Sequence, residues 1–400
     1  RAICFKCLAS AAAATSLGLA WDSQSLGRLY WHTVAISASA ICRAEAASSP
    51  STYRWQRKRR FRTRSYSPEF HTFGYGGLPV AIVIPAEGEL LGRVLDSSHS
   101  ISSEGLSRHA YRQFDAAQLR TAWGRHHQRR FALMEGDDLL ASAVQYELAA
   151  VLDQQAVRIC GIGSIFSEPA YGDGEHAQSL IDGLLDRATR GGAAMALLFC
   201  DDTAYRRPNG FEVVPTIEVE ITVTESLRHG APMALIRGGE ERDLAAIVAM
   251  GQVRATPFRF HVDRDVDFVH YVITRKRLLA GLGTSGMRQL HFFIAEEGIT
   301  AAAYVVISIV GDAWTIEECG DRDPSGARVG AILQALIARE PVERRPTIRA
   351  WLPPGFVPPQ IKIVSAKPST EVMMVRSLRR TPLQLRLSGE EVLYWRSDIF

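Results

Sequence analysis

Residues 161–178 read Gly161-Ile162-Gly163-Ser164-Ile165-Phe166-Ser167-Glu168-Pro169-Ala170-Tyr171-Gly172-Asp173-Gly174-Glu175-His176-Ala177-Gln178. An apolar run enters a glycine-rich turn and leaves it with helical spacing. Successive backbone N–H groups at such a turn point outward, and the helix N-terminus adds partial positive charge. The segment can therefore hold a phosphate. Glycine permits the close approach and the unusual backbone angles. Downstream stands Tyr205-Arg206-Arg207-Pro208-Asn209-Gly210-Phe211, whose tyrosine hydroxyl is neutral at pH 7 and can donate a proton. Glu168 closes the apolar run and Glu147 lies in the stretch before it; a carboxylate at either place can accept a proton.

Other reactive types carry less. Cys4 and Cys7 form one C-x-x-C, but a structural zinc site needs four ligands and no second pair follows. Cys160, Cys200 and Cys319 sit in apolar runs and read as buried thiols of a reducing, cytoplasmic compartment. His126 and His127, flanked by arginines, read as a solvated helix face, with a place at a substrate entrance as the alternative.

Arg54-Trp55-Gln56-Arg57-Lys58-Arg59-Arg60-Phe61-Arg62 is a basic run. It reads as a disordered tail rather than a nucleic-acid patch or a transit peptide. Residues 1–68 carry 11 Lys/Arg against 2 Asp/Glu, whereas the remainder carries 35 against 41. The acidic body disfavours a nucleic-acid partner. The mean hydropathy is −0.03, and no apolar run of about 18 residues occurs, which excludes a polytopic helical membrane protein.

The elements that would position these residues follow from periodicity. Strands are expected near 80–84, over 131–135, 139–152 and 157–166, then at 193–199 and 211–223, with a helix over 116–127. Ala177, Leu180, Ile181, Leu184, Leu185 and Ala188 lie on one helical face, which Gly191-Gly192 ends. A shift of 152 residues carries Leu180, Ile181, Leu184 and Leu185 onto Ile332, Leu333, Leu336 and Ile337, and Gly174 onto Gly326. The same shift carries Ile82-Val83-Ile84 onto Ala234-Leu235-Ile236 and Phe199 onto Trp351. One offset for strand, helix and later strand indicates a tandem repeat of one α/β unit.

The order of strand, glycine-rich turn, helix, strand, Tyr205 and Gly210-Phe211 resembles the GNAT superfamily of acyl-CoA-dependent N-acyltransferases. The pairing of two such units resembles the tandem-GNAT group that includes the mycobacterial enhanced intracellular survival acetyltransferase. Only residues 381–400 follow the second repeat, so that group's third domain is expected to be absent. The resemblance implies acetyl-CoA bound where the fourth and fifth strands of the first repeat splay. Pantetheine would pair with Ile165, Phe166 and Ser167, and pyrophosphate would sit on the amides of Gly172, Asp173, Gly174, Glu175, His176 and Ala177. Glu175 stands where the family pattern has glycine, and the pattern's arginine is absent. Tyr205 would be the general acid that protonates the thiolate, although it lies five residues before Gly210 where four is usual; packing is the other role open to it. The general base would be Glu168, Glu147 or the Phe400 carboxylate.

The expectation is thus an α/β, layered tandem GNAT fold with mixed central sheets flanked by helices. It divides into a disordered basic tail (1–76), a cofactor-binding repeat (77–225), a degenerate structural repeat (226–380) and a C-terminal extension (381–400). The implied activity is N-acetyl transfer from acetyl-CoA to an amine, with no membrane and no metal. A non-catalytic acyl-CoA-binding or interaction protein is the alternative.

Overall fold

The computed structural model describes residues 80–168, 174–200, 210–224, 235–379, 383 and 385–400. The basic segment therefore lies outside the described residues. Strand β1 (Ile82–Pro85) leads into helices α1 (Gly88–Ser102), α2 (Arg108–Gln118) and α3 (Ala122–His127). The single helix expected over 116–127 is broken, because Thr121 leaves helical geometry to cap α3, its hydroxyl accepting from Gly124 N at 3.0 Å. An antiparallel meander follows: β2 (Gln128–Glu135), β3 (Asp138–Leu152) and β4 (Gln155–Ser167). Helix α4 (Glu175–Arg190) connects it to β5 (Met195–Cys200), which lies parallel to β4. Then come β6 (Glu212–Val214) and β7 (Ile217–Val223).

The second half runs β8 (Leu235–Gly238), α5 (Leu244–Ala255), β9 (Phe260–Val262), α6 (Val266–Leu282), β10 (Arg288–Glu297), β11 (Thr300–Val310) and β12 (Ala313–Asp321). It continues through α7 (Ala327–Ile337), β13 (Ile348–Ala350), β14 (Ile361–Pro368), β15 (Val372–Ser377) and the short β16 (Val392–Leu393).

The two halves build two mixed sheets of matching order. One reads β1-β2-β3-β4-β5-β15-β6, with β9 and β16 added at the end of β3; the other reads β8-β10-β11-β12-β13-β7-β14. β1–β5 stay in the sheet of the first half, β8 and β10–β13 in that of the second, and each half sends one later strand, β7 or β15, into the other. The run expected as one strand over 211–223 therefore divides. Pro215 has no N–H for a ladder, and the chain leaves the first sheet there and re-enters in the second. The return crossing lies alongside, with Ser369 N donating to Thr216 O at 2.9 Å. A cut at residue 225 thus does not follow the sheets.

Ala177, Leu180, Ile181, Leu184, Leu185 and Ala188 of α4 are all buried, against Leu140, Ile162, Ala196 and Leu198 of the first sheet. Val329, Ile332, Leu333, Leu336 and Ile337 of α7 pack in the same way on the second. The opposite faces of the two sheets share a third core. Val144, Tyr146 and Leu148 of β3 meet Tyr304 and Val306 of β11 there, together with Phe268 and Val272 of α6. The layers are therefore helix, sheet, shared core, sheet, helix.

Candidate active site

Strands β4 and β5 pair in parallel from Ile159 with Met195 to Ile162 with Leu198 and then part. The cause lies in β4. Between Ser142/Phe166 and Val144/Gly163 its register against β3 gains one residue, and Ser164 takes φ +49°. This bulge bends the strand away from its neighbour. Ile165, Phe166 and Ser167 lie beyond it. Phe166 and Ser167 stay paired with β3, while no described strand covers the other edge of β4 past Ile162. That edge offers backbone groups to an extended ligand.

The fork holds Phe400. An ideal Cβ on Gly161 would stand 2.6 Å from Phe400 Cζ, and one on Gly163 would stand 2.7 Å from the Phe400 main-chain oxygen. These two glycines therefore make room for the last aromatic ring, a role distinct from the phosphate turn to which their sequence position suggests they belong. The ring packs on Tyr146 at a centroid distance of 4.7 Å and edge-on to Phe199 at 5.8 Å.

Residues 394–400 reach the fork along a chain of polar anchors. Arg264 donates to both oxygens of Glu318, at 2.8 and 2.7 Å, and lies 3.3 Å from Asp398. Ser397 Oγ donates to Glu318 at 2.9 Å, and Tyr304 donates to the same carboxylate. The Tyr394 hydroxyl donates to Asp398 O at 2.8 Å, and Arg275 donates to Ile399 O. Burial pushes the Asp398 carboxyl up to about 7, helped by Glu318 and opposed by Arg264. Burial also disfavours ionised Glu318, but Arg264, Tyr304 and Ser397 outweigh it and hold that carboxyl below its usual range.

Beside Phe400 opens a cavity of about 240 Å³, walled by α2, β2, β3, the β4 bulge and α6. Tyr271 links its polar floor, its one hydroxyl proton lying between Gln118 Oε1 at 3.2 Å and Gln128 Oε1 at 3.0 Å. Arg130 and Arg275 also line it. None of these residues stands out in the sequence. The available signal was the polar start of β2, Gln128-Arg129-Arg130, and Tyr146 between Gln145 and Glu147 in β3.

At the start of α4, Gly174 has φ +93° and forms a left-handed N-cap, with no side-chain cap. No described atom lies within 4 Å of the place a Cβ would take there. Glu175 is exposed, His176 and Gly174 are half-buried, and Ala177 is buried. Gly326, the repeat counterpart, is also a left-handed N-cap, at φ +71°, but its surroundings are closed. Rings of Phe356 and Pro358 would stand 2.7 and 3.1 Å from a Cβ there. Asp321 accepts from the backbone N–H groups of Arg328 and Asp323, each at 2.9 Å. The second helix N-terminus thus already has its anion.

Several expected residues fall elsewhere. Tyr205, Gly172 and Asp173 lie outside the described residues. Glu168 is half-buried at the end of β4, its N–H bonded to Leu140 O, and does not line the cavity. Glu147 is exposed on the α4 side of β3, opposite the face that Tyr146 turns to Phe400. His127 stacks on Trp123 at 5.0 Å, and His126 is exposed. Cys160 and Cys319 are buried, which pushes both thiols up to about 12 and leaves them unreactive. Among the described residues no His, Cys, Asp or Glu cluster suits a metal, and no helix is long and apolar enough to cross a membrane.

Two mixed sheets of this order, each with a glycine-capped helix after its fourth strand, define a tandem GNAT fold. Solved structures share it. A GCN5-related N-acetyltransferase from Anabaena variabilis superposes with TM-score 0.57 at 12% identity, over 75% of this chain and 73% of its own. One from Kribbella flavida gives 0.56 at 16%, over 75% and 71%. A protein of unknown function from Enterococcus faecalis, described as a probable N-acyltransferase, gives 0.54 at 14%, over 75% and 72%. No protein-family model matches the sequence, and no curated protein matches it.

Proposed function

We propose that the chain is an acyl-CoA-dependent N-acyltransferase that uses acetyl-CoA and an amine. The observation that carries this reading is the contrast between the two repeats. Among the described residues, no strand covers the β4 edge beyond the fork and no neighbouring side chain closes on Gly174, whereas the equivalent helix of the second repeat is filled by Asp321, Phe356 and Pro358. Pantetheine would lie along Ile165, Phe166 and Ser167, and pyrophosphate would sit on the turn through Gly172, Asp173, Gly174, Glu175, His176 and Ala177.

The amine nitrogen attacks the thioester carbonyl, a C–N bond forms as the C–S bond breaks, and catalysis is largely positional. The ammonium proton goes to a base and the departing thiolate takes one from Tyr205. Of the candidate bases, Phe400 is the one that lines the cavity. In a chain ending there its main-chain group is a carboxylate, and Glu168 is the second candidate.

Calorimetry with acetyl-CoA, followed by thiol release over a panel of amines, tests the proposal. Gly174→Val should abolish acetyl-CoA binding, because the residue sits at φ +93° and a branched side chain there is strained and blocks the approach. Undiminished binding by the variant would move the site elsewhere. Acetyl-CoA binding without thiol release from any amine would make the chain a non-catalytic acyl-CoA-binding protein.

A further inference from the structure

The cavity beside Phe400 is lined by two arginines that have buried, unpartnered donor atoms. Arg130 has a side chain only 8% exposed. Its Nη2 donates to Asp115 at 2.9 Å, but Nε and Nη1 are buried without a partner. Arg275 donates to Ile399 O, its Nε is also buried without a partner, and no Asp or Glu side chain pairs with it among the described residues. Buried polar groups are normally satisfied, and an unmet donor on a charged group is costly. Both side chains line the cavity, so an acceptor that enters it meets guanidinium groups whose donors the protein leaves unmet.

We infer that this cavity recognises an amine acceptor that also carries a carboxylate, seated on Arg130 and Arg275. The inference rests on the acyltransferase reading for the amine and on these two side chains for the acid. Arginine suits the task, because its planar fork matches a carboxylate. The size limits the class. A volume of about 240 Å³ equals roughly eight water molecules at about 30 Å³ each, which fits a molecule of amino-acid size.

The neighbouring cavity of about 210 Å³ shares Glu104, Arg275 and Ile399 with this one, and its lining carries five cations against three carboxylates. Such an excess draws anions inward. The lining of the cavity itself sets Arg130 and Arg275 against Glu104 and Asp115, the latter already held by Arg130.

The test uses the full chain and pairs of amines that differ only in carboxylate against carboxamide: glycine, leucine and phenylalanine with their amides. Calorimetry should show the acid of the preferred pair binding about 10- to 100-fold tighter than its amide, the range for a hydrogen bond to a charged group. Arg275→Gln should remove that difference while acetyl-CoA affinity stays at the parental value. Arg130→Lys, which keeps the charge opposite Asp115, should reduce it in part. Amides binding as well as acids, or no binding by either, would overturn the inference. Failure to bind acetyl-CoA would refute the acyltransferase reading and leave the acid–amide comparison to be judged by itself.

Discussion

Gly163→Ala tests whether the seat of Phe400 sets the rate of acyl transfer. The added methyl would stand 2.7 Å from the Phe400 main-chain oxygen, 2.9 Å from its carbonyl carbon and 3.1 Å from ring Cδ2. Non-bonded carbon contacts are comfortable from about 3.5 Å, so Phe400 must retreat by roughly 0.5–1 Å. Overpacking of this kind costs about 1–3 kcal/mol, which a chain with three large cores should survive. Misplacing a reacting group by about 1 Å costs on the order of 10²-fold. Turnover in a thiol-release assay should therefore fall about 10- to 100-fold, with acetyl-CoA affinity unchanged. Gly161→Ala meets the tip of the ring, 2.6 Å away at Cζ, and should cost less because the main-chain oxygen keeps its place. Removing Phe400 should make the Gly163 substitution silent, since neighbours acting through one group are not additive. Parental turnover in Gly163→Ala, or the same loss with Phe400 removed, would refute the reasoning.

The anchor of the C-terminal segment should depend on pH. Asp398 is raised from 3.8 to about 7, so the folded chain holds its proton more tightly than the unfolded chain. Stability from this group is full below about 3.8 and is lost as pH rises to 7, at up to about 1.4 kcal/mol per pH unit. Glu318 has the opposite sense, its contribution being lost only as pH falls below 4.5; burial holds His261 and His291 below their usual range, which adds a slope of the opposite sign at pH 5–7, so the Asp398 contribution is the difference between the parent's urea titrations and those of Asp398→Asn. Asp321→Ala should cost about 1–3 kcal/mol in urea unfolding by stripping the N–H groups of Arg328 and Asp323 of their acceptor. Leu184→Ala, at a fully buried position under the first sheet, should cost about 2–5 kcal/mol in the same assay. A fragment of residues 77–225 should show no cooperative unfolding by circular dichroism, because it lacks the β15 that joins β5 to β6.

Local physics made much of the fold legible. The i, i+3, i+4 face of α4 is buried at each position read from its spacing, and the shift of 152 residues brings together two glycine N-caps of the same left-handed geometry. The exchange of β7 and β15 was not legible. Alternating apolar residues show that a strand has a buried face, but not which sheet receives it, and Pro215 reads equally well as a bulge. The site was legible by parts. The fork and its helix follow from the order of elements, whereas Arg264 meets Glu318 across 54 residues, and no spacing rule reaches that far. Gly161 and Gly163 were visible as glycines, but their reason lies in a ring from the far end of the chain.

The exchange explains why a repeat with a filled helix N-terminus is still needed by the other. β15 closes the first sheet between β5 and β6. On α6, Arg275 lines one wall of the cavity, and Tyr271 ties its floor through Gln128. Glu318 and Tyr304, on the second sheet, hold the Ser397–Asp398 turn that delivers Phe400 to the fork. The N-terminus of α4 thus belongs to the first half, whereas the polar cavity is shared by both. Because β7 and β15 cross beside each other, neither sheet is complete without the partner strand. A change that loosens the second sheet should therefore reach Phe400 before it reaches the turn at Gly174. Glu318→Gln separates these cases. It should lower turnover while leaving acetyl-CoA affinity intact, and equal losses in both would mean that Phe400 and the turn at Gly174 are held by a single common support.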